Sequence, residues 1–490
     1  MTKANKTPII GKAPQTTSSS RAKKLLLPER PREKCGIAGA YGKGFEAARL
    51  VYYALWALQH RGQEASGISS SDGKVIRTHK GEGLVAHVYK EDDLEWLEGH
   101  LAIGHNRYGT SGGKGDDHAQ PVVGREGRVA LAHNGNLPST KALETFFASH
   151  RIKAKGLNDS ELMHKALQYY LHQGKTIEYA VEKCFPLFTG AFSLLIMTKN
   201  KLIALRDSKG VRPLSIGKLN GGFIVASETC ALDLLNATYL RDVQPGEMVV
   251  IDKKGLHSYQ LAPGEQKLDI FEFIYFARPD SVLLEKSVNE VRRNLGIQLA
   301  KESNIRADIV VPVPDSAIPA ALGFAQESGI PFDHGLIKNR YIHRTFIQPD
   351  QHMREEGVKL KLNPLNHVFA GKDIVIVDDS IVRGTTSKEL VSLLRKSGAK
   401  KVYMVISSPP IKYPDFYGID TPMQKKLIAA QMTNDEIQEY IGVDKLYYLS
   451  YEGLLKAIGL PEELFSTAHF TGNYPVDLLE RAEEIDFTIV

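Results

Sequence analysis

The sequence predicts two unlike parts, an α+β half followed by an α/β half built on a parallel sheet, and three observations carry that. At 490 residues the chain is long enough for two or three separate cores. In the first half, apolar strand-like runs such as Phe192–Met197 and Gly222–Ala226 are separated by loops rich in Gly, Asn and charge. From Phe271 onward strand and helix patterns alternate, which implies a buried parallel sheet with right-handed crossovers. The expected divisions are a leader over 1–34, a first domain over 35–265, a second over 266–450, and a helical extension over 451–490.

The leader differs from everything after it. Residues 1–28 carry five lysines and one arginine with no acid, and Thr16 to Ser20 breaks any periodicity, so the segment reads as disordered. A basic, acid-poor, Ser-rich start also fits an organellar transit peptide, although it is poor in arginine for one. The two readings are a processed leader in the cytoplasm and a targeting segment for a plastid or other organelle. The composition of the whole chain is ordinary: 42% hydrophobic, 24% charged, net charge +5. No stretch interleaves basic and aromatic residues densely enough to argue for nucleic acid, and no apolar run approaches a membrane span. Cys35, Cys184 and Cys230 are odd in number and scattered, which speaks for a reducing compartment and against a disulfide framework.

Ordered chain should begin at Cys35-Gly36-Ile37. Loop-type segments follow at Gln59-His60-Arg61-Gly62, His105-Asn106-Arg107-Tyr108, His133-Asn134-Gly135-Asn136 and Asp159-Ser160-Glu161. A lone internal cysteine is ordinarily a small buried hydrophobe. The order of these segments changes that reading. Together, across about 130 residues, they resemble the class II glutamine amidotransferase domain, whose fold is the N-terminal-nucleophile hydrolase αββα sandwich. The resemblance implies Cys35 as nucleophile, with the Asn134 side chain and the Gly135 N–H as oxyanion donors. It implies glutamine contacts from Arg107, Thr110 and Asp159, a guanidinium fork suiting the α-carboxylate and an acid the α-ammonium. The alternative for Arg107 and Asp159 is a structural ion pair. Removal of the leader would give Cys35 a free α-amino group, whose ordinary pKa near 7.7–8 suits a general base.

In the second half, Ile309–Pro314 is a strand leading to Asp315 and Ser316, and Ile318–Ser328 is helical. The run Asp373–Asp378 is an apolar, β-branched strand ending in the paired acids Asp378 and Asp379. A turn of Ser380, Arg383, Gly384, Thr385, Thr386 and Ser387 follows, then an amphipathic helix that Gly398 should stop. Thr386 and Glu389 have capping-box spacing, which places the helix start inside the hydroxyl-rich turn. A strand feeding a loop that opens a helix offers free N–H groups and a dipole to phosphate. The GxxxxGK[ST] lysine of a Walker loop is missing, and the preceding acids suit ribose hydroxyls or hydrated magnesium. Lys401–Ile406 is the next strand.

This loop resembles the phosphoribosyl pyrophosphate (PRPP) loop of type I phosphoribosyltransferases. The resemblance implies that Ser316, Asp378 and Asp379 surround one magnesium ion per subunit, and that Ser380 and Arg383 to Ser387 hold the 5-phosphate. The basic, aperiodic stretch from Lys338 through Arg340 to Asn363 is either a solvated loop or a lid over the pyrophosphate.

From Cys35 to about Pro475 the chain resembles the glutamine PRPP amidotransferase family. That implies glutamine-dependent synthesis of 5-phospho-β-D-ribosylamine with ammonia passed between two sites, purine nucleotides as feedback inhibitors, and a homotetramer or homodimer. One branch of the family holds an iron–sulfur cluster with four cysteines; the matching positions here are Asp269, Asp415, Ser466 and His469, so no cluster is expected. These residues should form a polar patch, with another metal as the alternative. Two rival functions remain: a glucosamine-phosphate synthase sharing only the first half, and a regulatory nucleotide-binding protein that has lost catalysis.

Overall fold

A computed structural model of the chain describes residues 32–33, 35–108, 119–124, 126–339, 362–421 and 423–488. Thr110, Arg340 and the lid stretch 340–361 lie outside the described residues.

The first half is built on two antiparallel sheets. One has seven strands, in the order Thr238–Asp242, Ser215–Leu219, Gly222–Ala226, Cys35–Tyr41, Leu101–Arg107, Ala65–Ser71, Ile76–Glu82. The other has six: Gly255–Gln260, Glu247–Asp252, Leu202–Arg206, Ala191–Met197, Ala130–Asn136, Val122–Val123. Successive side chains on a strand point to opposite faces, and that alternation assembles four layers. Ile37, Ile103, Ala132, Leu195, Val225 and Val249 point inward and join the two sheets in one core. Their neighbours Ala38, Ala102 and Ile224 point outward onto the helix Ala47–Ala57. On the other sheet Leu131, Leu194 and Val250 meet the helices Lys141–Ser149 and Asp159–His172. The result is the αββα sandwich.

The second half holds a four-stranded parallel sheet in the order Ile309–Pro312, Asp373–Asp378, Lys401–Ile406, Lys445–Tyr448. Both faces are covered, which is why its strands read as continuous apolar runs rather than alternating ones. Val375 and Val377 face Val291, Leu295 and Leu299 of the helix Val288–Ser303, together with Phe324 of the helix Ile318–Ser328. Ile374 and Ile376 face Leu390 and Leu394 of the helix Thr385–Lys396 and Ile437 of the helix Asn434–Ile441. The apolar run Glu272–Phe276 at the start of this half is a turn of π-helix. Residues Phe465–Ser466 return to pair in parallel with Leu268–Asp269. No helix among the described residues is long and apolar enough to cross a membrane.

Two local expectations differ from the structure. The helix after the phosphate loop is not opened by a Thr386–Glu389 capping box: its N-cap is Gly384, at φ +78°, and Thr385 and Thr386 lie in its first turn. Glycine reaches that left-handed conformation at little cost, so the turn closes two residues earlier than the box requires. Gly398 stops the helix as expected, just past Ser397, at φ +93°. The second difference concerns Arg32–Glu33, assigned by composition to the leader. These residues form a short strand antiparallel to Ile419–Asp420, a backbone pairing that composition does not report.

Candidate active sites

Cys35 is the first residue of a central strand, nearly buried at 8% exposure, and its register partner in the next strand is Arg107. None of the three cysteines is in a disulfide. Burial pushes the Cys184 thiol up, and burial together with the nearby Glu228 carboxylate pushes up that of Cys230, so neither is poised as a thiolate. Arg107 ends its strand half-exposed and makes no ion pair among the described residues.

In the facing sheet, the strand Ala130–Asn136 ends in His133, Asn134, Gly135 and Asn136. Asn134 is buried, and its Nδ2 has no hydrogen-bond partner among the described residues. An unmet buried donor is costly, and such a donor is available to an oxygen that a ligand brings. Gly135 sits at φ +149°, and a Cβ there would stand 2.1 Å from the Ala191 carbonyl oxygen, so only glycine makes this turn. Asp159, first residue of its helix, approaches the same loop: its Oδ2 accepts from Leu137 N at 3.4 Å and lies 3.6 Å from His133 Nδ1. Ser160 Oγ bridges to His133 Nδ1 at 3.0 Å, and Gln120 holds both through His133 N (2.7 Å) and Ser160 Oγ (3.1 Å). His105 is fully buried; burial, with His133 and Arg107 nearby, lowers its pKa to about 3 and keeps it neutral. Asn134, Gly135 and Asp159 thus share one end of the sandwich.

The second candidate site lies at the carboxyl ends of the parallel strands, where α/β sheets bind ligands. Asp378 is 5% and Asp379 1% exposed. Asp379 accepts from Ser316 Oγ at 2.5 Å and from Ser380 Oγ at 2.8 Å, and its N–H donates to Asp378 Oδ1 at 2.9 Å. Ser316, from a different strand end, is therefore tied to the paired acids. The donors are all oxygen, two carboxylates and a hydroxyl, a set that fits a hard cation such as magnesium. Lys338 Nζ reaches Asp315 Oδ2 at 2.9 Å beside them. Arg383 to Ser387 run from the turn into the first helical turn, where backbone N–H groups lack intrahelical acceptors.

Asp269, Asp415 and His469 converge, one ligand atom of each lying within 4.8 Å of the others. His469 Nε2 is 3.5 Å from Asp269 and 4.0 Å from Asp415, while Arg212 Nη1 and Nη2 approach the same two carboxylates at 3.5 and 3.8 Å. Burial alone would raise the Asp269 carboxyl, but His469 and Arg212 outweigh it and hold it low. Ser466 joins through strand pairing with Asp269. Carboxylate, hydroxyl and imidazole do not fit the thiolate ligation of an iron–sulfur cluster. Opposite charges face one another across the patch.

Sequence reasoning missed the fully buried Arg61. It sits in the Gln-His-Arg-Gly segment, which was noticed but given no role. Arg61 pairs with Glu228 of its own half and, at 2.7 Å, with Glu272 of the other. Arg212 was missed too; a charged residue inside the compact Gly210-Val211-Arg212-Pro213-Leu214 turn was the available signal.

Residues 105–234 match the family model of the glutamine amidotransferase domain, and residues 283–414 that of the phosphoribosyl transferase domain. The amidophosphoribosyltransferase of Synechocystis sp. is 49% identical over 455 residues, covering 91% of this chain and 92% of that protein. Among solved structures, one described as the allosteric regulatory enzyme of purine biosynthesis superposes with a TM-score of 0.86 at 44% identity, covering 91% of this chain and 97% of that one. The glutamine PRPP amidotransferase of Bacillus subtilis, complexed with ADP and GMP, superposes at 0.85 with 44% identity, covering 91% and 98%.

Proposed function

The chain belongs to the amidophosphoribosyltransferase family, and we propose that Cys35 and the Asp378–Ser387 loop divide that family's reaction between its two halves. The enzyme makes 5-phospho-β-D-ribosylamine, glutamate and pyrophosphate from glutamine, PRPP and water, in purine synthesis. A glucosamine-phosphate synthase would carry no phosphoribosyl transferase match over 283–414, and that rival falls.

In the first half Cys35 Sγ attacks the glutamine amide carbon. Asn134 Nδ2 and Gly135 N–H stabilise the oxyanion, each such donor being worth about 3–4 kcal/mol of barrier. The C–N bond breaks, ammonia leaves, and water hydrolyses the thioester to glutamate. Arg107 and Thr110 bind the glutamine head group, with Asp159 on its α-ammonium. Once the leader over 1–34 is removed, the Cys35 α-amino group is the base that takes and returns the proton. Support comes chiefly from one observation: Asn134 Nδ2 is buried without a hydrogen-bond partner among the described residues, beside a turn only glycine can make.

Ammonia then passes inside the protein, because ammonia released to water protonates and loses its nucleophilic lone pair. It attacks C1 of PRPP, the C1–oxygen bond breaks, and pyrophosphate departs. Ser380 and Arg383 to Ser387 hold the 5-phosphate with hydroxyls and helix-start N–H groups. Lys338 and Arg340 are the residues we assign to PRPP from the basic stretch that begins at Lys338. Ser316, Asp378 and Asp379 would hold magnesium, which when bound offsets charge on the leaving group. We place the division between the halves near residue 265. Purine nucleotides are the expected inhibitors, the Bacillus subtilis structure holding ADP and GMP. A cytoplasmic homotetramer or homodimer is the expected form, a plastid location the alternative.

The test is Asp378→Asn combined with Asp379→Asn. Glutamine- and ammonia-dependent synthesis should both disappear, since both need PRPP. Retained ammonia-dependent turnover at ordinary PRPP concentrations would show these acids to be structural.

A further inference from the structure

Arg212 has a fully buried side chain, and burying a guanidinium costs several kcal/mol unless its partners are well placed. Among the described residues, the side-chain partners given by distance come from the second half of the chain. Nη1 faces Asp269 at 3.5 Å and Glu272 at 3.6 Å, Nη2 faces Asp415 at 3.8 Å, and Nε donates to the Tyr417 carbonyl at 3.2 Å. Its own carbonyl is fixed in the first half, accepting from Ser193 Oγ at 3.1 Å and Arg206 Nε at 2.7 Å. One side chain thus rivets a loop of the second half to the first.

That loop reaches the glutamine site. Asp415 Oδ2 gathers the backbone N–H groups of Tyr417 (2.8 Å) and Ile419 (2.5 Å), which fixes the shape of residues 415–419. The Phe416 carbonyl accepts from Asn136 Nδ2 at 2.8 Å. Gly418, at φ +125°, lies directly on the turn: a Cβ there would stand 3.2 Å from Gly135 Cα and 3.3 Å from Arg212 Nη2. Gly135 is therefore held between Ala191 on one side and Gly418 on the other, with Asn136 anchored beyond it.

We infer that Arg212 is a positioning residue for glutamine hydrolysis, acting through Tyr417 and Gly418 to set the Asn134–Gly135 turn. The inference rests on Asn134 and Gly135 being the oxyanion donors. Because those donors act on charge that develops in the transition state, a shift of the turn lowers kcat and leaves substrate binding largely alone. A displacement of about 1 Å at such a site costs about 100-fold in rate.

The experiment compares Arg212→Lys, which keeps the charge but lacks the fork, with Gly418→Ala, which leaves the charges untouched and presses on the turn. Asn134→Ala runs beside them. The readouts are glutamine kcat and KM, ammonia-dependent synthesis, and alkylation of Cys35 by iodoacetamide, a reaction that forms no oxyanion. Both positioning variants should lose at least about tenfold in glutamine kcat, with KM, ammonia-dependent synthesis and alkylation within about twofold of the parent. Equal loss of both synthetic activities would mark a structural role and overturn the inference. So would unchanged glutamine kcat in both variants while Asn134→Ala is impaired. If Asn134→Ala itself leaves kcat intact, the oxyanion assignment fails and the inference with it. Should Arg212→Lys not fold, Gly418→Ala decides alone.

Discussion

Replacing Asn134 by alanine should lower activity without lowering stability. The side chain is 1% exposed and its Nδ2 has no hydrogen-bond partner among the described residues, so the folded enzyme carries an unmet donor worth about 1–3 kcal/mol of destabilisation. Alanine removes that penalty and loses some packing, of the order of 1 kcal/mol. The two nearly cancel, leaving stability between unchanged and about 2 kcal/mol higher. Catalysis moves the other way: loss of one oxyanion donor costs about 100- to 1,000-fold in kcat. Glutamate release at saturating glutamine gives the activity, and urea unfolding with ammonia-dependent synthesis gives the integrity of the fold. A kcat within tenfold of the parent would refute the donor role. A loss of 2 kcal/mol or more in stability would show that the amide holds the turn together instead.

Two further outcomes follow from the same structure. His105 and His164 are buried and neutral, with pKa values lowered from 6.5 to about 3 and about 4, burial being the main cause in each. Between pH 6.5 and 4 the unfolded chain binds protons that the folded chain refuses, so stability must fall with pH by about 1.4 kcal/mol per unit for each histidine. Urea midpoints at pH 7, 5.5 and 4.5 should therefore decline less steeply in His105→Gln/His164→Gln, and an identical slope would refute the assignment. Elemental analysis of anaerobically purified protein should find no stoichiometric iron or acid-labile sulfide, since Asp269, Asp415, Ser466 and His469 offer no thiolate. One zinc per chain surviving dialysis would overturn the view that Arg212 supplies the cation of that cluster.

The legible parts of this molecule were those whose information is local. Asp373–Asp378 announces a strand, the Asp378–Ser387 run a strand-to-helix turn, and Gly398 a helix end, because each depends on neighbours a few residues away. The alternation in Ala130–Asn136 and Ala191–Met197 yields two faces, and the two-faced burial of the parallel strands accounts for their unbroken apolarity. The capping-box spacing misleads because Gly384 adopts the left-handed turn at φ +78° and starts the helix two residues before Thr386. Contacts made in three dimensions left little trace. Glu228 and Glu272 lie 167 and 211 positions from Arg61, and nothing in their neighbourhoods marks them as its partners. Asp269, Asp415 and His469 were singled out by family resemblance, yet only the fold brings Arg212 among them. Arg32–Glu33 looked like leader because pairing with Ile419–Asp420 uses backbone groups common to every residue.

The division of labour between the halves is tested most directly by Cys35→Ala, assayed with glutamine and then with high ammonia as the nitrogen source. The expected result is no glutamine-dependent formation of pyrophosphate and an ammonia-dependent rate close to that of the parent, because Cys35 lies in the αββα half and the proposed PRPP site is at the ends of the parallel strands in the other. Equal loss of both activities in a folded Cys35→Ala protein would contradict it.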